Sequence, residues 1–146
     1  MGIKELFLQK GWAGRTIDRA DTIDLINPMI QTMNELMHLH IAAGETTSKA
    51  NVKDGIETSL RTLRMDIGKM CEIVFSCGGV ANSGTDLETA DFMLGDGLSD
   101  AVAAKEQELR EALDAQENIE HQMRTRAILM NVDTNQKARM NAVRGL

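Results

Sequence analysis

The sequence predicts an all-α protein, an antiparallel helical bundle of the four-helix type that forms one domain over residues 1–146. The chain contains a single Pro, so long stretches are free to be helical. Hydrophobic residues make up 42% and charged residues 26%, a balance typical of globular domains. Aromatic residues make up only 3%, and there are ten Met residues, so we expect a core of aliphatic side chains and methionines.

A short anchor segment is expected in residues 1–20, ahead of the first long helix. Its apolar side chains are Ile3, Leu6, Phe7 and Leu8. The first long helix is predicted from about Asp18 to Ala43, with a glycine directly after it as a stop signal. Pro28 follows Asn27, a pair that suits the start of a helix, so we expect either a new start or a kink at this point.

The second long helix has the clearest periodicity in the chain. Asn51 with Asp54 three residues later resembles a capping box, and Gly78 and Gly79 are expected to end the helix. Between these signals, spacings of three or four residues place eight apolar side chains on one stripe of a helix. They are Val52, Ile56, Leu60, Leu63, Ile67, Met70, Val74 and Cys77.

The last part of the chain is predicted to form one long helix over residues 98–144. A capping box at Thr85 and Glu88 predicts that a helical region begins there and is bent near Gly95 before the long helix. At 1.5 Å per residue, the long helix would reach well beyond a compact bundle. Its distal apolar side chains would then be exposed unless a partner covered them.

Two rows of residues at seven-residue spacing form a seam of the a/d type along this predicted helix. The interface residues predicted from the seam are Leu98, Val102, Leu109, Ile119, Met123 and Met130. Lys105, Gln116 and Arg126 interrupt the seam, as polar residues do when they fix register or partner choice. The alternative interpretation is a bundle helix whose apolar stripe drifts around its axis.

Charge is unevenly distributed along the chain, although the net charge is only −6. Residues 86–120 carry a net charge of −9, and residues 121–146 carry +4. Acids early and bases late suit the dipole of a long helix. The same separation also suits a molecule that stacks on copies of itself, with a negative region meeting a positive one.

Glu35 and His38 form a Glu-x-x-His pair, which resembles the metal ligands of ferritin-like four-helix bundles. That resemblance implies a metal-binding or oxidising bundle. The second pair is missing, and its nearest substitute is Glu117 with His121 four residues later. Helical geometry also places Glu35 and His38 opposite the apolar stripe of the first helix. We therefore expect no metal site, no other cofactor and no catalytic residue.

His40 falls on the apolar stripe of the first helix, where a buried imidazole needs a hydrogen-bond partner. We interpret it as a cap for carbonyls at the helix end, with a ligand or pH-switch role as the alternative. Cys71 and Cys77 point to different sides of the second helix, so we expect them to stay unpaired. The sequence contains neither a phosphate-binding glycine loop nor a calcium loop.

These patterns favour a non-enzymatic structural or interaction protein, either a homo-oligomer or a module that docks to a helical partner, for example as a filament or assembly subunit. The alternatives are a ferritin-like metal-binding bundle and a regulatory bundle that binds a small ligand. The negative charge argues against nucleic-acid binding, and no apolar run has the length of a membrane span. A cytoplasmic location is expected, with export without a cleaved signal peptide, or an extracellular or viral assembly, as alternatives.

Overall fold

The protein was analysed as a computed structural model that describes residues 16–142, a range that contains four α-helices and no strand. The helices are α1 Arg19–Thr46, α2 Ala50–Ser76, α3 Leu98–Gln116 and α4 Met123–Ala142. Two short 3-10 helices, Thr89–Phe92 and Gly95–Gly97, precede α3. The predicted all-α bundle of the four-helix type is therefore confirmed.

The helices are connected with one long crossover. Helix α1 packs against α2 and α3, and α4 packs against the same two helices, so α1 and α4 lie diagonally across the bundle. The connection over residues 77–97 runs back along α1, so that α2 and α3 point in the same direction. Ferritin-like bundles also contain a single long crossover. The first two helices form a hairpin that packs against the helices after the crossover, as the sequence predicts. Those later helices form a second hairpin, which the sequence does not predict.

Asparagine side chains fasten the crossover to α1. The Asn82 backbone N–H donates to Asn27 Oδ1 at 3.0 Å, and Asn82 Nδ2 donates to the Asn27 carbonyl at 2.9 Å. Asn34 Nδ2 donates to the Asn82 carbonyl at 3.2 Å. Further along α1, the rings of His38 and Phe92 stack with centroids 5.5 Å apart. The crossover is thus held along much of the length of α1.

Helix α1 is continuous, so the predicted new start at Pro28 is wrong. The helix begins after Asp18, whose side chain accepts a hydrogen bond from the Asp21 backbone N–H at 2.8 Å. Pro28 lies inside the helix, where it removes one backbone donor. Met29 and Ile30, directly after it, are almost fully buried. Tertiary packing of this face outweighs the local cost of the proline, and the helix continues to Thr46 rather than Ala43.

Helix α2 turns the predicted apolar stripe to the core but begins at a different residue than predicted. Its N-cap is Lys49, which makes no side-chain capping bond, so the predicted capping box at Asn51 is wrong. The helix ends at Ser76, close to the predicted glycine stop, where Gly78 adopts a φ of +83°. The predicted stripe does face the core, since six of its eight side chains are buried and the other two, Ile67 and Cys77, are partly buried.

The C-terminal region forms two helices, so the single long helix predicted over residues 98–144 is wrong. The chain leaves α3 after Gln116 and turns through residues 117–122 before α4 begins. The predicted helical region at Thr85 is wrong as well, because irregular backbone and 3-10 turns precede Leu98. Folding back lets α3 pack against α1 and α4 pack against α2. Much of the apolar surface that the sequence predicts a partner would cover is therefore buried within the chain, including Val102, Leu129 and Val132.

Most of the predicted N-terminal anchor, including residues 3–8, lies outside the described residues. Of the part that is described, Ile17 is buried with 2% of its surface exposed. Its backbone N–H donates to the carbonyl of Glu120 at 3.0 Å. The chain therefore enters the described fold beside the turn between α3 and α4.

Two glycines are expected to respond in opposite ways to replacement by alanine. Gly84 has a φ of +68°, and a Cβ there would lie 2.8 Å from Cγ of Asn34. Gly84→Ala should therefore lower the free energy of unfolding by about 2 kcal/mol. Gly68 lies within α2, and a Cβ added there would have nothing within 4 Å. Gly68→Ala should therefore raise the free energy of unfolding by about 0.5–1 kcal/mol. Urea unfolding measures both changes, and equal effects would contradict this account of Gly84.

Candidate functional site

A buried ion pair joins α3 to α4 in the interior of the bundle. Nε of Arg139 donates to Glu106 Oε2 at 2.6 Å, and Nη2 donates to Glu106 Oε1 at 2.9 Å. Both side chains are 1% exposed. Two parallel bonds of this kind match the fork of a guanidinium to the two oxygens of a carboxylate. The pair fixes the relative position of the two helices.

His40 extends this pair to α1. The imidazole is fully buried, and its Nε2 lies 3.6 Å from Glu106 Oε2, longer than a normal hydrogen bond. Neither ring nitrogen has a hydrogen-bond partner within residues 16–142. The predicted burial of His40 is confirmed, but the ring faces a carboxylate of α3 and forms no cap for the end of α1. The contact between them is therefore electrostatic.

Burial and neighbouring charges act in opposite directions on the pKa of Glu106. Desolvation disfavours the carboxylate, but the contacts with His40 and Arg139 outweigh it and hold the pKa of Glu106 below its ordinary value. The side chain therefore stays ionised at neutral pH despite its burial. Gln136 supports the same region, since its Nε2 donates to the Glu106 backbone carbonyl at 3.0 Å.

Asp66 adds a carboxylate from α2 to this region. Burial raises its pKa, although the hydrogen bond with Asn135 and the charges of Arg139 and Lys69 oppose that rise. Asn135 Nδ2 lies 3.1 Å from one carboxylate oxygen and 3.0 Å from the other. All four helices thus contribute a polar side chain to one internal group, which we call the buried polar cluster and define as His40, Asp66, Glu106, Asn135, Gln136 and Arg139.

The buried polar cluster does not fit a di-metal site. The guanidinium of Arg139 occupies both oxygens of Glu106, where a metal ion would otherwise bind. No group of three or more His, Cys, Asp or Glu side chains in the described range could hold a metal ion. Lys105 pairs with Glu35 at 2.8 Å, and His38 Nδ1 contacts the Thr89 hydroxyl at 2.8 Å. The Glu-x-x-His pair therefore contributes to packing between neighbouring elements.

An open groove of about 500 Å³ lies between the end of α3 and the first half of α4. Its apolar lining includes Leu113, Ile119, Leu129 and Met130. Its acidic side chains are Glu117 and Asp133. The other lining residues are polar or basic, so the groove is not mainly apolar: Gln116, His121, Arg126 and Thr134.

His121 lines this groove and is held in one tautomer. Gln116 Nε2 donates to the Ala112 carbonyl at 3.0 Å, which turns Gln116 Oε1 towards His121 Nε2 at 2.8 Å. The proton of the neutral ring therefore lies on Nε2. Nδ1 is buried and has no hydrogen-bond partner in the described part of the chain. Burial, with a smaller contribution from Arg126, lowers the pKa of His121 from 6.5 to about 4.

The outer face of α4 presents a row of exposed small and apolar side chains, spaced three or four residues apart. We call this row the outer stripe, and its members are Met123, Ala127, Met130, Thr134 and Ala138. Met123 is 88% exposed and Met130 is 66% exposed. The stripe lies on the opposite side of α4 from the buried residues Leu129 and Val132. Within residues 16–142, no other helix covers this side of α4.

The structure separates the six interface residues predicted from the sequence into two groups. Met123 and Met130 are exposed and lie in the outer stripe. The other four are buried inside the chain, with exposures of 0–5%, so they cannot anchor a partner: Leu98, Val102, Leu109 and Ile119. That part of the interface prediction is corrected, because the rows on α3 and the following turn pack within this bundle.

Two sets of residues were not predicted as sites. Glu106 and Arg139 were treated only as members of charged regions, yet both are buried and paired. Ala127 and Ala138 were not recognised as part of an exposed face. The second set could have been found from the spacing of small residues between the two methionines. Glu106 and Arg139 produce no periodic signal in the sequence, because they lie on different helices.

Comparison of the chain with protein-family models, with curated proteins and with solved structures gave no match. Among the helices of residues 16–142, none combines the length and the apolar character that crossing a membrane requires.

Proposed function

We propose that this protein is a non-enzymatic interaction module that acts by self-association, with the outer stripe of α4 packed against a second copy of the chain. The observation that carries the proposal is the outer stripe itself. A row of five small or apolar residues at helical spacing is typical of a face that packs against another helix. The buried polar cluster supports a structural role, since Glu106 is engaged with Arg139, and Asp66 with Asn135, inside the bundle.

Charge complementarity favours a second copy as the partner. Basic side chains flank the outer stripe, including Arg124, Arg126 and Lys137. The exposed face of α3 carries acidic and small residues, including Ala104, Glu111 and Asp114. Helix α4 of one copy can therefore lie against α3 of the other, with opposite charges along the edges of the contact.

The proposed contact leads to a closed dimer. If α4 of each copy packs against α3 of the other, the same surface is used twice and the interface has twofold symmetry. Helix α4 has 20 residues and is therefore about 30 Å long. Two such helix pairs provide a contact of the size that stable dimers use, about 800 Å² per partner.

Replacing Met123 by glutamate is expected to weaken self-association at least about tenfold, a loss of about 1.4 kcal/mol or more. The charge would be placed in the apolar contact and next to the acids of the partner's α3. Met65→Glu is the matched control, because Met65 on α2 is also exposed, at 62%, but lies outside the proposed contact. Sedimentation velocity over a concentration series measures the dissociation constant of both variants and the parent.

Three results would count against this proposal. A parent protein that stays monomeric at every concentration would contradict self-association. Equal effects of Met123→Glu and Met65→Glu would show that the outer stripe is not the contact. A dissociation constant that does not change with added salt would contradict the role assigned to the charged edges, since salt screens exposed charges.

A further inference from the structure

Helices α3 and α4 run antiparallel, and their side-chain contacts fix which residues lie at the same height. The Glu106 backbone carbonyl accepts from Gln136, and the Glu106 carboxylate accepts from Arg139. About one turn later on α3, Arg110 bonds to Asp133, about one turn earlier on α4. The relative height of the two helices determines which residues meet in a dimer built from them.

The dimer of the proposed function, on which this inference rests, places α3 and α4 of one copy over α4 and α3 of the other. Two directions of the twofold axis give this arrangement. An axis perpendicular to the contact surface makes α4 parallel to α3 of the second copy, whereas an axis along the helices makes them antiparallel. The two dimers bring different side chains together, so the exposed residues distinguish between them.

The lengths of the helices define the register of the parallel dimer. Helix α3 has 19 residues and α4 has 20. They therefore overlap over nearly their full length when their last residues, Gln116 and Ala142, lie at the same height. Counting back equally from both ends places Arg126 level with Asp100 of the second copy.

We propose that α4 packs parallel to α3 of a second copy, in the register that pairs Arg126 with Asp100 of that copy. Both side chains are exposed, and neither forms an ion pair within residues 16–142. The same register places Lys137 level with Glu111 of the second copy, so opposite charges meet at a second position. Twofold symmetry uses each of these contacts twice.

The parallel register also suits the centre of the outer stripe. Met130 lies level with Ala104 of the second copy, whose small side chain leaves room for the methionine. An axis along the helices keeps every residue at its own height, so in the antiparallel dimer Met130 would lie level with Asp114 of the second copy. A carboxylate opposite the methionine provides no apolar contact and would lose water. The matching of side chains therefore favours the parallel dimer.

Two charge-reversal variants test the register. Arg126→Glu alone and Asp100→Arg alone each bring like charges together twice in a dimer, so each should associate at least about tenfold more weakly than the parent. In a one-to-one mixture, the introduced acid of one variant meets the introduced base of the other, and native Arg126 meets native Asp100 at the second contact. The mixture should therefore form a heterodimer with nearly the dissociation constant of the parent, measured by sedimentation velocity.

Glu117→Arg is the matched control for Asp100→Arg. In the antiparallel dimer Arg126 would lie level with Glu117 of the second copy, so mixing Arg126→Glu with Glu117→Arg would restore association only in that dimer. Recovery with Glu117→Arg, or no recovery with Asp100→Arg, would overturn the parallel register.

A milder change keeps the test valid if a charge reversal disturbs folding, which urea midpoints of each variant reveal. Arg126→Gln removes the charge at the same exposed position and should weaken association by about threefold. An Arg126→Gln variant that associates as tightly as the parent would overturn the proposed pair.

The register and the proposed function can fail separately. A parent protein that stays monomeric at every concentration would contradict both. A parent dimer that Met123→Glu weakens, but whose charge-reversal mixture stays as weak as either variant alone, would overturn the register and leave the outer stripe as the contact.

Discussion

Replacing Arg139 by methionine is expected to lower the free energy of unfolding by about 3–5 kcal/mol. The change leaves the Glu106 carboxylate buried without its bidentate partner, 1% exposed and beside His40. An unpaired buried charge costs far more than the lost attraction, because the group keeps its desolvation penalty. Urea denaturation at pH 7 measures the loss.

Two further variants give this prediction its controls. Lys137→Met removes a cation that is 63% exposed from the same helix, and it should change stability by less than about 1 kcal/mol. The double variant Glu106→Leu with Arg139→Met removes both buried charges, so it should recover most of the stability lost by Arg139→Met alone. If the double variant were as unstable as the single one, packing of the Arg139 side chain would be the dominant contribution.

The protein is also expected to lose stability between pH 6.5 and about 4 because of His121. Its pKa is 6.5 in the unfolded chain and about 4 in the folded one, so the unfolded state binds the extra proton in this range. Stability from this group is complete above pH 6.5 and is lost as the pH falls towards 4. The cost is about 2 kcal/mol, reduced from the full shift because the groove admits some water.

The His121→Gln variant tests this assignment. An amide at this position has no titrating group and can still bond to Gln116. The variant should therefore lose less stability than the parent when the pH is lowered from 6.5 to 4. Urea midpoints at several pH values provide the comparison. The effect of carboxylate titration on stability is common to the two proteins and cancels in the difference between them. Parallel pH profiles for variant and parent would rule out His121 as the cause.

The helical elements could be predicted from the sequence where the apolar spacing was unbroken. The stripe on α2 from Val52 to Val74 faces the core as expected, because spacings of three and four leave one face for burial. The break between α3 and α4 could not be predicted in the same way. Residues 117–122 contain neither Gly nor Pro, so no local signal marks the turn. Burial of Ile119 and His121 there comes from tertiary contacts.

The candidate sites also divide into residues that helical periodicity predicts and residues that only tertiary contacts bring together. The exposed methionines Met123 and Met130 were found because they lie seven residues apart. The pair between Glu106 and Arg139 joins positions 33 residues apart, and only the antiparallel arrangement of α3 and α4 brings them together. Such contacts depend on topology, and helical periodicity carries no information about which helices become neighbours.

The crossover between α2 and α3 also limits when the chain can fold during synthesis. Helix α1 has α3 as one of its two neighbours, and Lys105 and Glu108 of α3 meet Glu35 and Thr32 of α1. That partner emerges from the ribosome about 70 residues after α1, several seconds later at usual rates of translation. Until then, the first hairpin exposes the side of α1 that α3 will cover, so the nascent chain passes through a stage in which chaperones can bind it.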